Sequence, residues 1–142
     1  MLALHLKSLA AIAVLALLAP AQAADDAIYR GLGGQQGIQA VVTTLMPLLL
    51  ADVRIKETFS DTDMRLLAMR LEQQFCVLSG GPCDYKGDGM KEVHGGLKIT
   101  NAQFNALTED LQIAMERNGV ASHVQNKLVA KLAPMQRVIV TQ

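Results

Sequence analysis

The stretch GGPCDYKGDGMKEVHGG, residues 80–96, separates two helical parts of the chain and carries its most distinctive histidine. Six of the chain's 11 glycines lie in this stretch, so the backbone can turn several times within it. Met90 to His94 form the one short helical segment there, and Gly95 and Gly96 end it. His94 is therefore a candidate functional residue, although a lone histidine near a turn is more often structural or solvated.

Apolar residues recur at three- and four-residue spacing on both sides of this stretch, which is typical of helices with one buried face. The four patterns cover residues 38–49, 64–78, 104–115 and 124–139. Pro47 lies inside the first pattern and is expected to end or kink that helix, because proline has no N–H and clashes with the preceding turn. Pro134, inside the last pattern, is a second kink candidate. No alternating pattern bounded as a hairpin occurs, so the sequence predicts an all-α domain.

Polar residues before these patterns predict where the helices begin. Residues 61–63, Asp-Thr-Asp, supply N-cap candidates for the second helix. Thr100 or Asn101 can cap the third helix. Ser122 and Gln125 have the spacing of a capping box and are expected to start the last helix.

Residues 1–23 predict an export signal. Lys7 gives a positive start, residues 8–18 form an apolar run, and small residues up to Ala23 offer a cleavage site. The apolar run is shorter than the roughly 20 residues of a membrane span. We therefore expect cleavage, no stable membrane insertion afterwards, and a periplasmic or extracellular domain at residues 24–142. Retention of the segment as an anchor is the alternative.

Composition and motifs exclude several classes of function. The 13 basic residues are balanced by 13 acidic ones among the 142, so a broad basic surface for nucleic acid is not expected. The sequence has no Gly-x-Ser-x-Gly, P-loop or His-Glu-x-x-His motif. Cleavage after Ala23 would leave two histidines, His94 and His123, and His123 is expected to be a solvated side chain near the start of the last helix.

The two cysteines, Cys76 and Cys83, are seven residues apart across Gly80-Gly81-Pro82. Export would place them in a compartment that permits disulfides, and the intervening residues let the chain turn back. The sequence therefore predicts a structural disulfide. The spacing does not match a thioredoxin-type redox motif, and there is no Cys-x-x-Cys-His for covalent attachment of haem c.

A series of short landmarks occurs in a specific order between Tyr29 and Val140. These are Leu32-Gly33-Gly34 with Gly37-Ile38, Leu50-Ala51-Asp52, Phe59, Asp63-Met64, Gly80-Gly81-Pro82, Tyr85-x-Gly87, Met90-Lys91-x-Val93-His94-x-Gly96, Ile99-Thr100 and Phe104. Each is weak alone, but in this order and spacing the chain resembles the group I truncated haemoglobins, the two-over-two globins.

This resemblance implies a b-type haem between the helix pairs, with His94 as the proximal ligand of the iron. Phe59 matches a phenylalanine that packs against the haem face. Further residues match positions that commonly line the pocket, namely Thr62, Met64, Met90, Ile99 and Phe104. Arg70 could reach a haem propionate, or it could be a solvated helix arginine.

On the distal side the chain departs from the family pattern. The tyrosine and glutamine that donate hydrogen bonds to bound dioxygen correspond here to Met46 and Leu71, with Leu67 at the neighbouring position. Loss of two hydrogen bonds worth about 1 kcal/mol each would weaken oxygen retention roughly tenfold or more. We therefore expect handling or sensing of NO rather than oxygen carriage, with an external reductase for any redox turnover.

Two alternatives remain open at this point. Thioether sulfur is a known haem ligand, so a His94–iron–Met46 pair would make the chain an exported electron-transfer protein. In the second alternative the chain is a haem-free helical interaction domain in which His94 is structural.

Overall fold

The computed structural model describes residues 26–142, and the export signal predicted at residues 1–23 lies outside them. In chain order its α-helices are α1 (Ala27–Gly31), α2 (Gly34–Ala51), α3 (Met64–Leu78), α4 (Met90–His94), α5 (Asn101–Arg117), α6 (Ser122–Leu132) and α7 (Gln136–Ile139). Short 3-10 helices at Lys56–Phe59 and Ala133–Met135 complete the elements. Within the described range the β-pairing is a single isolated bridge between Ile99 and Val140, so the all-α prediction is confirmed.

Helix α2 forms because its apolar residues line one face, and this face is buried at Ile38, Val41, Val42, Leu45 and Leu49. The prediction that Pro47 could end this helix is wrong, since α2 continues to Ala51. Proline removes the hydrogen bond to the carbonyl of Thr43. Leu45 and Leu49, both 0% exposed, anchor the helix on either side of that gap by packing into the core. A kink at Pro47 stays a prediction.

The predicted cap of α3 is confirmed. An oxygen of the Asp63 carboxylate accepts hydrogen bonds from the backbone N–H groups of Arg65, at 3.0 Å, and Leu66, at 3.1 Å. These donors have no partner within the helix, so the carboxylate satisfies them and fixes where α3 begins. The residues that line the cavity described below follow from this register.

The capping box belongs to α5 and not to α6. Thr100 Oγ1 accepts from the backbone of Gln103 at 3.2 Å, and Gln103 Oε1 accepts from the Thr100 N–H at 3.0 Å. The box predicted at Ser122 and Gln125 is wrong, because Ser122 is already the first residue of α6 and Ala121 precedes it. The amide of Gln125 instead donates to the carbonyl of Val120, at 2.8 Å.

Helix α2 lies at the centre of the domain and packs against α3 and α5. At Pro134, where a kink was predicted, the last pattern is interrupted altogether: α6 ends at Leu132, a 3-10 turn follows, and α7 begins at Gln136. Helix α7 packs against α4, and the N–H of Thr141 donates to the carbonyl of Ile99 at 3.0 Å. The C-terminal segment therefore supports the loop that follows α4. Of the helices in residues 26–142, none is long and apolar enough to cross a membrane.

Candidate functional site

A cavity of about 340 Å³ lies between α3, α4 and α5, which is in the range of cofactor and ligand sites. Its walls are mainly apolar. Helix α3 contributes Leu66, Leu67, Arg70, Leu71, Gln74 and Phe75; α4 contributes Met90, Val93 and His94; α5 contributes Gln103, Phe104, Leu107 and Thr108. Loops and the other elements add Leu49, Ile55, Thr58, Phe59, Thr62, Asp63, Tyr85, Leu97, Ile99, Leu132, Met135 and Ile139.

Most of the site residues suggested by the sequence meet in this one cavity. Those that line it are Phe59, Thr62, Leu67, Arg70, Leu71, Met90, His94, Ile99 and Phe104. They come from separate parts of the chain, which the packing of α3, α4 and α5 brings together. The sequence positions and the cavity therefore indicate the same site.

Met46 and Met64 are not part of the cavity wall, which corrects their expected place in the pocket. Met46 packs against the hydrophobic core, and the α2 residue that lines the cavity is Leu49, one turn further along. Met64 begins α3, while Thr62 and Asp63 line the cavity just before it. The wall is therefore formed by Leu49 in α2 and by the two residues that precede α3, and not by the two methionines.

His94 is half-buried at the end of α4, and its ring has a defined hydrogen bond. Nδ1 lies 2.7 Å from the carbonyl oxygen of Met90. A carbonyl oxygen can only accept, so Nδ1 carries the proton and donates. In the neutral imidazole this leaves the Nε2 lone pair for a metal. Gly96, with φ of +80°, then takes the chain away from the helix in a backbone conformation that favours glycine.

Arg70 and Asp63 are the formally charged residues of the wall. Asp63 is engaged as the α3 cap. Arg70 donates from Nη1 to Gln73 Oε1 at 3.0 Å, and the same oxygen accepts from the backbone N–H of Lys86 at 3.2 Å. The Arg70 guanidinium has further donors, and it is the cation available to an anionic group in the cavity.

Gln74 is a half-buried polar residue in the wall that was not predicted from the sequence. Its Nε2 donates to the sulfur of Met90 at 3.2 Å and to the sulfur of Met135 at 3.5 Å. The signal was its position, because Gln74 is three residues after Leu71 and seven after Leu67, on the same face of α3. A search for apolar residues at helical spacing does not identify a glutamine, even when the glutamine lies on the same face of the helix.

His123 is exposed at the start of α6, as predicted, and is not among the residues that line the cavity.

The clear pKa shifts lie outside the cavity. At the end of α2, Arg54 donates hydrogen bonds to Asp52, and these hold the pKa of the Asp52 carboxyl below its ordinary value. Burial raises the pKa of Asp110, and the neighbouring Asp52 carboxylate raises it further. Arg54 also bonds Glu109, so this cluster ties the end of α2 to α5. None of these residues lines the cavity.

Comparison with known proteins connects the cavity with one family. The family model described as bacterial-like globin matches residues 27–141, a range that contains every residue of the cavity wall. A group 1 truncated haemoglobin of Tetrahymena thermophila is 35% identical over 97 residues, which cover 68% of this chain and 80% of that protein.

Solved structures match the fold. The Fe(III) form of the truncated haemoglobin from Tetrahymena pyriformis superposes with a TM-score of 0.78 at 31% identity, covering 81% of this chain and 98% of that one. A 2/2 haemoglobin from a Synechococcus species, at 21% identity, gives a TM-score of 0.75 with the same coverage, and at that identity the likeness concerns the fold alone. The two-over-two architecture expected from the sequence is confirmed.

Proposed function

Since this chain belongs to the bacterial-like globin family as a group 1 truncated haemoglobin, which implies a bound haem and a gaseous ligand, we propose that it holds haem b in the apolar cavity, with His94 as the proximal ligand of the iron. The observation that carries this proposal is the 2.7 Å contact between His94 Nδ1 and the carbonyl of Met90. It fixes the tautomer and the ring, and it leaves Nε2 for the metal.

The chemistry of the cavity fits a haem. Its walls are mainly apolar, as a porphyrin requires, and His94 supplies a nitrogen ligand. Phe59, Met90, Ile99 and Phe104 would pack against the macrocycle. Thr62 would lie beside it at the start of α3.

Arg70 would pair with a propionate. A charge-assisted hydrogen bond to a carboxylate is stronger than the neutral one that Arg70 makes with Gln73, so the guanidinium can exchange one partner for the other.

When bound, the haem supplies an iron at which a diatomic gas such as O₂, NO or CO binds reversibly. The protein's own residues control that binding by excluding water and by offering or withholding hydrogen bonds. Leu67 and Leu71 line the cavity and have no side-chain donor, while Met46 lies outside the wall. This apolar distal side supports NO handling or sensing over oxygen carriage. An external reductase would supply electrons for any redox turnover.

The location of the protein and its disulfide are part of the same proposal. The export signal predicted at residues 1–23 would direct the domain to the periplasm or beyond the cell. The sulfurs of Cys76 and Cys83 are in contact, and the two Cα atoms lie 6.0 Å apart, within the range of about 4.4–6.8 Å for a disulfide. This bridge would join the end of α3 to the loop that leads to α4.

Gas binding is favoured over electron transfer with His94 and Met46 as paired ligands, because Met46 packs against the core and is not among the residues that line the cavity.

Absorption spectroscopy of the haem-loaded domain tests the proposed ligand, with His94→Gly as the variant and His123→Ala as the matched histidine control. We expect stoichiometric haem and a Soret band that is lost or shifted in the His94 variant alone, with CO binding in the wild type. Haem that fails to bind, or that binds with the same spectrum in both variants, would overturn the assignment and favour a haem-free interaction domain.

A further inference from the structure

The short helix α4, which carries His94, has few attachments to the rest of the fold. It has five residues, lies between Gly89 and Gly95, and packs mainly against α7. Its first and last residues, Met90 and His94, are half-buried, and the three between them are exposed. The orientation of His94 therefore depends on the few contacts that hold the two ends of α4.

Gln74 of α3, which also lines the cavity, provides one of these contacts. Its side chain extends from α3, and Nε2 lies 3.2 Å from the Met90 sulfur and 3.5 Å from the Met135 sulfur. The amide thus links three separate elements: α3, α4 and the 3-10 turn Ala133–Met135. We refer to Gln74, Met90 and Met135 as the amide–thioether clamp.

The clamp is connected to His94 through Met90. The side chain of Met90 accepts a hydrogen bond from Gln74, and the backbone carbonyl of the same residue accepts from Nδ1 of His94 at 2.7 Å. A change in the position of Met90 would therefore change the hydrogen bond that orients the imidazole. Such outer partners set the ring orientation and the basicity of a metal-ligating histidine.

We propose that Gln74 is a positioning residue for His94, and that it acts by holding Met90 in place through the clamp. This inference rests on the proposed role of His94 as the iron ligand. Gln74 does not itself contact the iron ligand; it fixes the residue whose carbonyl does.

The choice of residue at position 74 supports this role. A thioether is a weak acceptor, so its hydrogen bonds recover only part of the cost of removing an amide from water. Leu67 and Leu71, on the same face of α3, fill the wall without that cost. If position 74 had only to fill space, a third leucine there would be sufficient. The amide adds a directional link to α4 that a leucine could not make.

The test compares haem-loaded Gln74→Leu and the isosteric Gln74→Glu, which keeps the size and loses the N–H donors, with the control Gln112→Leu. Gln112 is a half-buried glutamine of α5 that does not line the cavity. The first measurement is the iron–histidine stretching frequency of the ferrous, gas-free protein by resonance Raman spectroscopy. The second is amide hydrogen exchange across residues 91–94.

We expect both Gln74 variants to shift the iron–histidine band and to speed exchange in α4 about fivefold, the factor that corresponds to about 1 kcal/mol of lost hydrogen bonding. Gln112→Leu should leave both unchanged. Met90→Leu should shift the band as Gln74→Leu does, and the double variant should shift it no further, because both substitutions break the same link.

An unchanged band and unchanged exchange in the Gln74 variants would overturn the proposal. A shifted stretching frequency of bound CO, with the iron–histidine band in place, would also overturn it, since the amide would then act on the gas and not on His94. Failure of the proposed function can be distinguished from failure of this inference. An iron–histidine band that survives in His94→Gly would show that His94 is not the iron ligand. The hydrogen-exchange rates would still show whether Gln74 holds α4 in place.

Discussion

A hydrogen-bond donor placed on the α3 side of the cavity, where Leu67 and Leu71 lie, should slow the dissociation of dioxygen from this protein. Leu71 lines the cavity and stands at the position where the family usually has a donor. The Leu71→Gln substitution places an amide at this position. Met46→Gln is the matched control, because position 46 corresponds to the family's other distal donor but does not line the cavity.

The size of the effect follows from one new hydrogen bond to a polar ligand in a site with apolar walls. Such a bond contributes about 1–1.5 kcal/mol, which corresponds to a change of roughly fivefold to tenfold in a rate or equilibrium constant. We expect the dissociation rate of dioxygen to fall by that factor in Leu71→Gln. The dissociation rate of CO, a much less polar ligand, should change far less, and Met46→Gln should leave both rates close to those of the wild type.

Stopped-flow replacement of bound dioxygen by CO measures the dissociation rate directly, and circular dichroism confirms that each variant keeps its helix content. Equal slowing by the two substitutions would refute the reasoning, since it would mean that the register of α2 does not keep position 46 away from the ligand. An unchanged oxygen rate in Leu71→Gln would refute the assignment of α3 to the distal wall.

Three further predictions concern stability. Intact-mass measurement of the non-reduced protein should show a mass lower by two hydrogens than that of the reduced form. Loss of the Cys76–Cys83 bridge should lower the free energy of unfolding in urea by about 2–4 kcal/mol. Two alkylatable thiols in the native protein would contradict the predicted disulfide. Thr100→Ala should cost about 1 kcal/mol by the same assay, whereas Ser122→Ala, which removes no cap, should cost almost nothing. Burial raises the pKa of Asp110, so the folded state binds this proton more tightly than the unfolded chain does. The contribution of Asp110 to the free energy of unfolding should therefore fall as pH rises from 3.8 through the folded pKa. Urea unfolding of Asp110→Asn should show a less negative slope than the wild type in this pH range, and an equal slope would contradict the prediction.

The sequence predicted correctly those features that depend only on interactions between neighbouring residues. Asp63 caps α3 because a short carboxylate beside the first turn satisfies free N–H groups whatever the rest of the fold does. Pro134 ends α6 because its ring cannot continue the helix at that point. His94 stood out for a similar reason, since glycines on one side and a very short helix on the other isolate it in the chain.

Predictions from the sequence were wrong where two segments have the same cap spacing, and where packing in the core compensates for a lost hydrogen bond. Thr100 with Gln103 and Ser122 with Gln125 have the same spacing of hydroxyl and amide, and the box forms at the first pair alone. Pro47 removes a hydrogen bond from α2, but the helix continues because the buried leucines around it contribute more than that bond.

By itself, the sequence determined the helical class of this protein, most of its helix boundaries and the residues from which the site is drawn, because apolar periodicity, caps and turn residues act over a few positions along the chain. Only the tertiary structure decided which of those residues share a cavity. It placed Met46 against the core and outside the cavity wall, put Leu49 of α2 at the wall, and brought Gln74 of α3 into contact with Met90 of α4. These outcomes depend on the rotation of each helix against its neighbours, and that rotation is set by the packing of the whole domain.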